Sequence, residues 1–166
     1  MELIFQEITE DKKAYLELLL LADEQEDMID RYLDRGRMFA AYEKGHADKP
    51  EEAAAVCVVT KEDPSAIEIK NLAVREGMQG KGIGRYMIDR ACSICGKGRS
   101  IVLVGTGESP ETVGFYEKCG FTYSHRIKDF FTDNYDHPIF EGGVLLRDMV
   151  YFRKSLENEE GLKDED

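Results

Sequence analysis

Asn71-Leu-Ala-Val-Arg-Glu-Gly-Met-Gln-Gly-Lys-Gly-Ile-Gly-Arg-Tyr-Met-Ile88 is the stretch on which the fold turns. Its first four residues end a strand-like segment, 66–74, and its last six begin a helical one. Between them Gly80, Gly82 and Gly84 alternate with Lys81 and Ile83, so every second side chain is missing where strand passes into helix. Amides at a helix N-terminus lack partners within the helix, and the helix dipole adds partial positive charge. The turn over residues 79–85 is therefore shaped for an anion, and Lys81 and Arg85 add formal charge at its rim. Its G-x-G-x-G spacing is not the G-x-G-x-x-G of dinucleotide folds, and no Ser or Thr follows Gly-Lys as a Walker loop requires. The plain alternative is a tight turn that needs glycine for its backbone alone.

Outward from the turn, Ile83, Met87, Ile88, Ala91, Cys92 and Cys95 repeat at helical spacing until Gly96 and Gly98 close the segment. Residues 100–104 read as a short buried strand, and Ser109-Pro110 starts a helix with a good N-cap and a proline at its first position. Residues 121–126 and 148–153 read as two more strands. Upstream, residues 2–8 alternate as a strand, and Thr9 offers the cap of a helix that runs to about Ala22. Met28, Ile29, Tyr32 and Leu33 mark a second helix ending at Gly36. Residues 38–42 and 53–60 read as a hairpin. The count is seven strands and about four helices, with no internal repeat and no domain linker.

A chain of 166 residues, 42% hydrophobic, suits one globular domain. We place it at residues 1–156, followed over 157–166 by an acidic tail of six acids against one Lys. No apolar run reaches the roughly 20 residues needed to span a bilayer, and the first residues carry no basic region ahead of a long apolar stretch. We expect no membrane partner and a cytoplasmic protein. A formal charge of -12 argues against nucleic acid, whose binding rests on Lys and Arg, and favours cations instead. Cys57, Cys92, Cys95 and Cys119 read as free thiols: Cys92 and Cys95 form a C-x-x-C with no second ligand pair, so no metal site is expected.

The stretch 71–88, taken with Phe115-Tyr-Glu-Lys-Cys-Gly-Phe121 further on, strongly resembles the GNAT superfamily of N-acetyltransferases. In that family the pattern Q/R-x-x-G-x-G/A binds acetyl-CoA, and the matching residues here are Gln79, Gly82 and Gly84. Tyr116, Gly120 and Phe121 match the later signature, in which a Tyr precedes a Gly-Phe pair. The resemblance implies a mixed α/β fold, with a mostly antiparallel seven-stranded sheet that splays between its fourth and fifth strands to admit the pantetheine arm. It implies that backbone groups of Leu72, Ala73 and Val74 pair with that arm. The amides of Gln79, Gly80, Lys81, Gly82, Ile83, Gly84 and Arg85 would hold the pyrophosphate. Where many members carry an Asn that contacts the arm, this chain has Ser109 beside Glu108.

Acetyl transfer to an amine needs a neutral nucleophile, a stabilised oxyanion and a proton for the departing thiolate. A free thiol titrates near pH 8.5 and an alkylammonium about two units higher, so the amine proton must be taken and the thiolate assisted. Tyr116 suits the acid, because a phenol stays protonated at neutral pH and can donate to sulfur; a plain core tyrosine is the competing reading. Glu68 suits the base, directly or through water, or else simply pairs with Lys70 on the same strand face. A backbone amide near Ala73 or Val74 serves the oxyanion without any side chain. The segment 127–146 is long and aromatic, and its Phe130, Phe131, Tyr135 and Glu141 read as the walls of an acceptor pocket suited to a cation. The competing reading there is a packed excursion over the sheet edge. His125 and His137 are further candidate bases.

The function expected is transfer of acetyl from acetyl-CoA to a primary amine by direct attack in a ternary complex. The acceptor is open, a cationic small molecule fits best, and the assembly is open too, a homodimer included. The alternative is an acyl-CoA-binding sensor or interaction module without transferase activity.

Overall fold

The computed structural model describes residues 1–46 and 49–156, so the acidic tail expected over 157–166 lies outside the described residues. Seven strands form one sheet: β1 (Leu3–Ile8), β2 (Arg37–Glu43), β3 (Ala55–Asp63), β4 (Ala66–Val74), β5 (Ile101–Gly107), β6 (Thr122–Ile127) and, after a small separate hairpin of β7 (Phe140–Glu141) and β8 (Val144–Leu145), β9 (Met149–Ser155). The order in the large sheet is β1-β2-β3-β4-β5-β9-β6, and every pair is antiparallel except β4 with β5. The mixed, mostly antiparallel sheet of the sequence reading is therefore observed. Among the described residues no helix is long and apolar enough to cross a membrane, and all four cysteines are free.

The near-continuous apolar runs of β2 and β3 follow from burial on both faces of the sheet. On one face Ala55, Cys57 and Val59 meet α3 (Ile83–Cys95); on the other, Val56 and Val58 meet α1 (Leu16–Ala22) and the turns after α2 (Glu26–Ile29). Helix α3 buries Ile83, Met87, Ile88, Ala91 and Cys95, the period expected of it. Each large side chain among them contributes roughly 1.5–3 kcal/mol of transfer free energy. Helix α4 (Pro110–Lys118) covers the same face, capped by Ser109, whose hydroxyl accepts from the Thr112 amide at 3.4 Å.

Three elements differ from expectation. The first helix does not start at Thr9: the chain passes through left-handed Asp11, makes a 3-10 turn over Lys12–Tyr15, and only then becomes α1. The second helix is the single turn α2, and tight turns carry the chain on to β2. The segment 127–146 holds a fifth helix, α5 (Phe130–Asn134), together with the hairpin of β7 and β8. Phe131, Ile139 and Leu146 give this excursion a small core of its own.

Two irregularities mark β4. Val59 faces Ile69 but Val58 faces Asn71, so Lys70 is an extra, bulged residue. The bulge resets the alternation: Ile67, Ile69, Leu72 and Val74 share the α3 side, while Ala73 packs on the α1 side. In addition, β4 pairs with β5 only from Ala66↔Ile101 to Ile69↔Val104. Beyond that point β4 stays with β3, β5 stays with β9, and the sheet opens.

Candidate active site

The opening between β4 and β5 is a cleft of about 700 Å³. Leu72 and Val74 line one wall, Thr106 and Gly107 the other. The amide of Arg75 donates to Ala54 O at 2.8 Å, which turns the peptide groups of residues 73 and 75 toward β3. By alternation the peptide groups of Leu72 and Val74 face the cleft. Gln79 closes the turn after β4, its Nε2 donating to Val74 O at 3.1 Å.

One end of the cleft is formed by the glycine turn. Gln79, Gly80 and Gly82 line it with Ile83, Gly84 and Arg85, where α3 begins. Gly82 is the residue before the helix and has φ 81°, a left-handed value that a side chain resists. The amides of Ile83, Gly84 and Arg85 have no acceptor among the described residues, because only Tyr86 reaches back to Gly82 O, at 3.1 Å. Gly84 is needed for a different reason: a Cβ there would lie 2.9 Å from Cζ of Phe115, so this glycine lets α4 pack against the start of α3. Of the other coenzyme contacts expected, Lys81 is exposed outside the lining, and Ala73 is only 4% exposed, in the α1 core. Ser109 also lies outside the lining, its hydroxyl occupied with Thr112 as the cap of α4.

Tyr116 lines the middle of the cleft from the α3 side. Its ring is wedged between Phe115 and Phe121, with centroids 5.0 and 5.6 Å away. Its hydroxyl has no partner among the described residues; the residue is 7% exposed, and the oxygen is not one of its fully enclosed atoms. Burial pushes the phenol's pKa up, so it holds its proton throughout the neutral range.

Glu68 does not line the cleft. Its carboxylate is 3.0 Å from Lys70 Nζ and accepts a hydrogen bond from Tyr151 at 3.2 Å. Ordinary alternation is the physical reason: residues 68 and 70 share a strand face, and the bulge resets the pattern only beyond Lys70. Burial raises the Glu68 pKa and the Lys70 ammonium opposes that rise. Glu68→Gln removes the anion of this largely buried pair and is expected to lower stability by about 1–3 kcal/mol, read as a lower denaturant midpoint at unchanged slope.

The far end of the cleft is built by the excursion 127–146 closing onto the chain after α1. Phe131, Tyr135 and Glu141 line it, whereas Phe130 packs behind Phe131 and Tyr135. Three consecutive residues that the sequence reading passed over receive this flap. Tyr135 donates to Asp23 Oδ1 at 2.6 Å, the Asp136 amide donates to Gln25 Oε1 at 3.0 Å, and His137 Nε2 lies 3.3 Å from Glu24 Oε1. His137 thus sits on the outer rim, its pKa raised first by the carboxylate of Asp136. His125 stacks on Tyr151 with ring centroids 4.6 Å apart. Neither histidine lines the cleft.

Asp23 accepts a second hydrogen bond, from Tyr32 at 3.0 Å, and Tyr32 in turn accepts one from Asn71 at 3.0 Å. This chain of side chains joins the α1 end of the cleft to β4 at the splay. No single motif announces it, because its members are scattered from residue 23 to residue 135.

A family model for an acetyltransferase (GNAT) domain matches residues 34–123. An uncharacterized N-acetyltransferase, YvbK, of Bacillus subtilis (strain 168) is 40% identical over 136 residues, which are 81% of this chain and 84% of that protein. Two solved structures are similar over nearly their whole length. One is a GNAT family acetyltransferase from Elizabethkingia anophelis with acetyl-CoA bound: TM-score 0.82, 30% identity, 92% of this chain and 97% of that one. The other is a Bacillus subtilis acetyltransferase in complex with CoA: TM-score 0.81, 35% identity, 93% of this chain and 99% of that one.

Proposed function

The chain belongs to the GNAT family of acetyltransferases, and from that premise we propose that it passes acetyl from acetyl-CoA to a primary amine by direct attack in a ternary complex. The observation that carries this reading is the half-open sheet. An edge of β4 whose Leu72 and Val74 peptide groups face away from β3 leads from helix amides without an acceptor among the described residues to the unpartnered phenol of Tyr116. Acetyl-CoA suits the chemistry of this path. Its pyrophosphate suits the amides of Ile83, Gly84 and Arg85, with Arg85 and Lys81 as counter-charges. The amides of its pantetheine arm suit the peptide groups of Leu72 and Val74 as a pseudo-strand.

With the thioester in the splay, the amide N–H of Val74 or Leu72 is the backbone donor for the tetrahedral oxyanion; the peptide of Ala73, expected to share that work, faces β3. Tyr116 donates to the sulfur as the thiolate departs. An acetyl-enzyme on a thiol is disfavoured by position and by acidity. None of the four cysteines lines the cleft, and burial pushes all four thiols up, Cys92 to about 12. Glu68 can serve the amine only through an intervening water, since Lys70 and Tyr151 take up its carboxylate.

The acceptor half favours cations. Asp23, Glu24, Glu111 and Glu141 line the cleft against Lys70 and Arg85, of which Lys70 is already paired. Aromatic walls from Phe131 and Tyr135 add face contacts for an alkylammonium. A screen of alkyl amines, diamines, amino sugars and amino acids with acetyl-CoA, read as thiol release, tests the proposal. Release that is amine-dependent and fastest with cations lacking a carboxylate supports it. Tight acetyl-CoA binding with no amine-dependent release would favour a coenzyme-binding sensor instead.

A further inference from the structure

We propose that Asp23 docks the ammonium of the acceptor and takes its first proton. This inference rests on the transferase reading above and names the group that reading leaves open. Asp23 lies just past α1, lines the cleft, and is the carboxylate there with two phenols fixed on it, Tyr135 on Oδ1 and Tyr32 on Oδ2. Each oxygen keeps a second lone pair. No Lys, Arg or His nitrogen among the described residues comes within ion-pair distance of it.

A second observation points to the same place. Asn71, 3% exposed and part of the cleft wall, spends both hydrogens of Nδ2, on Leu19 O and on Tyr32 Oη at 3.0 Å each. Its Oδ1 has no donor among the described residues. A buried amide oxygen without a donor among the described residues is an uncommon state, and here it occurs on the side chain that holds Tyr32 against Asp23. Asn71 is adjacent in β4 to Leu72, whose peptide group faces the splay, so an amine held here is beside the thioester.

The topology also separates the two proton sites. Asp23 belongs to the α1 side of the sheet and Tyr116 to the α3 side, and the splay is the passage between them. The reaction balances across it. R-NH3⁺ gives one proton to the Asp23 carboxylate, and the free amine attacks the carbonyl carbon. The C–S bond breaks, Tyr116 gives its proton to the thiolate, and the second nitrogen proton, lost as the amide forms, returns through water in the cleft to the Tyr116 phenolate. Asp23, partly exposed, then returns its proton to water.

Charges near Asp23 are mixed. Asp27 of α2 and Glu24 add negative potential, Arg31 of the following turn adds positive, and the flap brings Tyr135, Asp136 and His137. From β4 comes Lys70, neutralised by Glu68. Burial raises the Asp23 pKa above the usual carboxylate value, and the hydrogen bonds from Tyr135 and Tyr32 oppose that rise.

The test compares Asp23→Asn with the wild type on two acceptors, the best alkyl amine from the screen and an arylamine that is already neutral at pH 7. For the alkyl amine, the variant should lose up to about 10³-fold in kcat/KM at pH 7, a deficit that shrinks tenfold per pH unit toward the amine's own pKa near 10.4. For the arylamine the loss should stay within about threefold, and calorimetry should give unchanged acetyl-CoA affinity. Tyr135→Phe keeps the carboxylate but removes a donor that stabilises it, so the acid limb of the kcat/KM profile should move to higher pH. A deficit constant with pH, or equal for both amines, would overturn the assignment and leave Asp23 as a shaping residue. A wild type that acetylates neither amine would overturn the transferase reading itself.

Discussion

Tyr116→Phe lowers kcat for thiol release by about 10²- to 10⁴-fold, the range that one well-placed proton donor supplies. Acetyl-CoA affinity and stability should barely move. The ring remains between Phe115 and Phe121, and the hydroxyl lost has no partner among the described residues. Removing a hydroxyl that reaches the cleft without a partner is expected to change stability by less than about 1 kcal/mol. The two readouts therefore separate a donor from a core residue. A core tyrosine would tolerate the change in both; a donor loses rate and keeps its fold. Glu68→Gln should show the reverse balance, with a fall in stability and a smaller fall in rate, since its carboxylate holds Lys70 and Tyr151.

Gly82→Asp is expected to weaken acetyl-CoA binding by about 10²- to 10³-fold. Open space surrounds the position, so the substitution meets no atom of the protein. The left-handed backbone at φ 81° costs about 1 kcal/mol, and Asp is among the residues that accept it best. The carboxylate, however, would stand at the amides of the anion site. Two unit charges about 4 Å apart repel by roughly 4 kcal/mol at the effective dielectric of a protein surface, and salt removes part of this. Gly82→Asn supplies the control, with the same shape and backbone demand and no charge. Calorimetric titration with acetyl-CoA should give a loss within about tenfold for Asn and the full loss for Asp. Equal losses would mean that shape, not charge, governs the turn.

The seven strands were legible because each carries a β-branched or alternating run bounded by turn residues, and the observed bounds fall within a few residues of the expected ones. Hidden features were those without a period. A bulge at Lys70 leaves no mark in a strand that already contains Glu68 and Asn71. Helix α5 is about a turn long, too short to repeat a stripe, although the Gly142-Gly143 pair was a readable hairpin signal for β7 and β8. The same division runs through the site. Its proposed coenzyme half is made of backbone, and backbone that must be bare advertises itself as glycine at 80 and 82, while Gly84 answers to the packing of Phe115. Its proposed acceptor half is made of side chains from distant segments, Asp23, Asn71, Tyr135 and Glu141, which only the folded chain assembles. Glu68 stands out in the sequence by its place on β4 and Asp23 does not, because only the folded chain shows which carboxylate lines the cleft.

Initial rates over a grid of acetyl-CoA and the best alkyl amine test transfer within the splay most directly. Intersecting reciprocal plots, with acetylated amine formed one for one with free thiol, are the expected result of attack in a ternary complex. Parallel plots, which signal an acetyl-enzyme, or thiol released without acetylated amine, would contradict it.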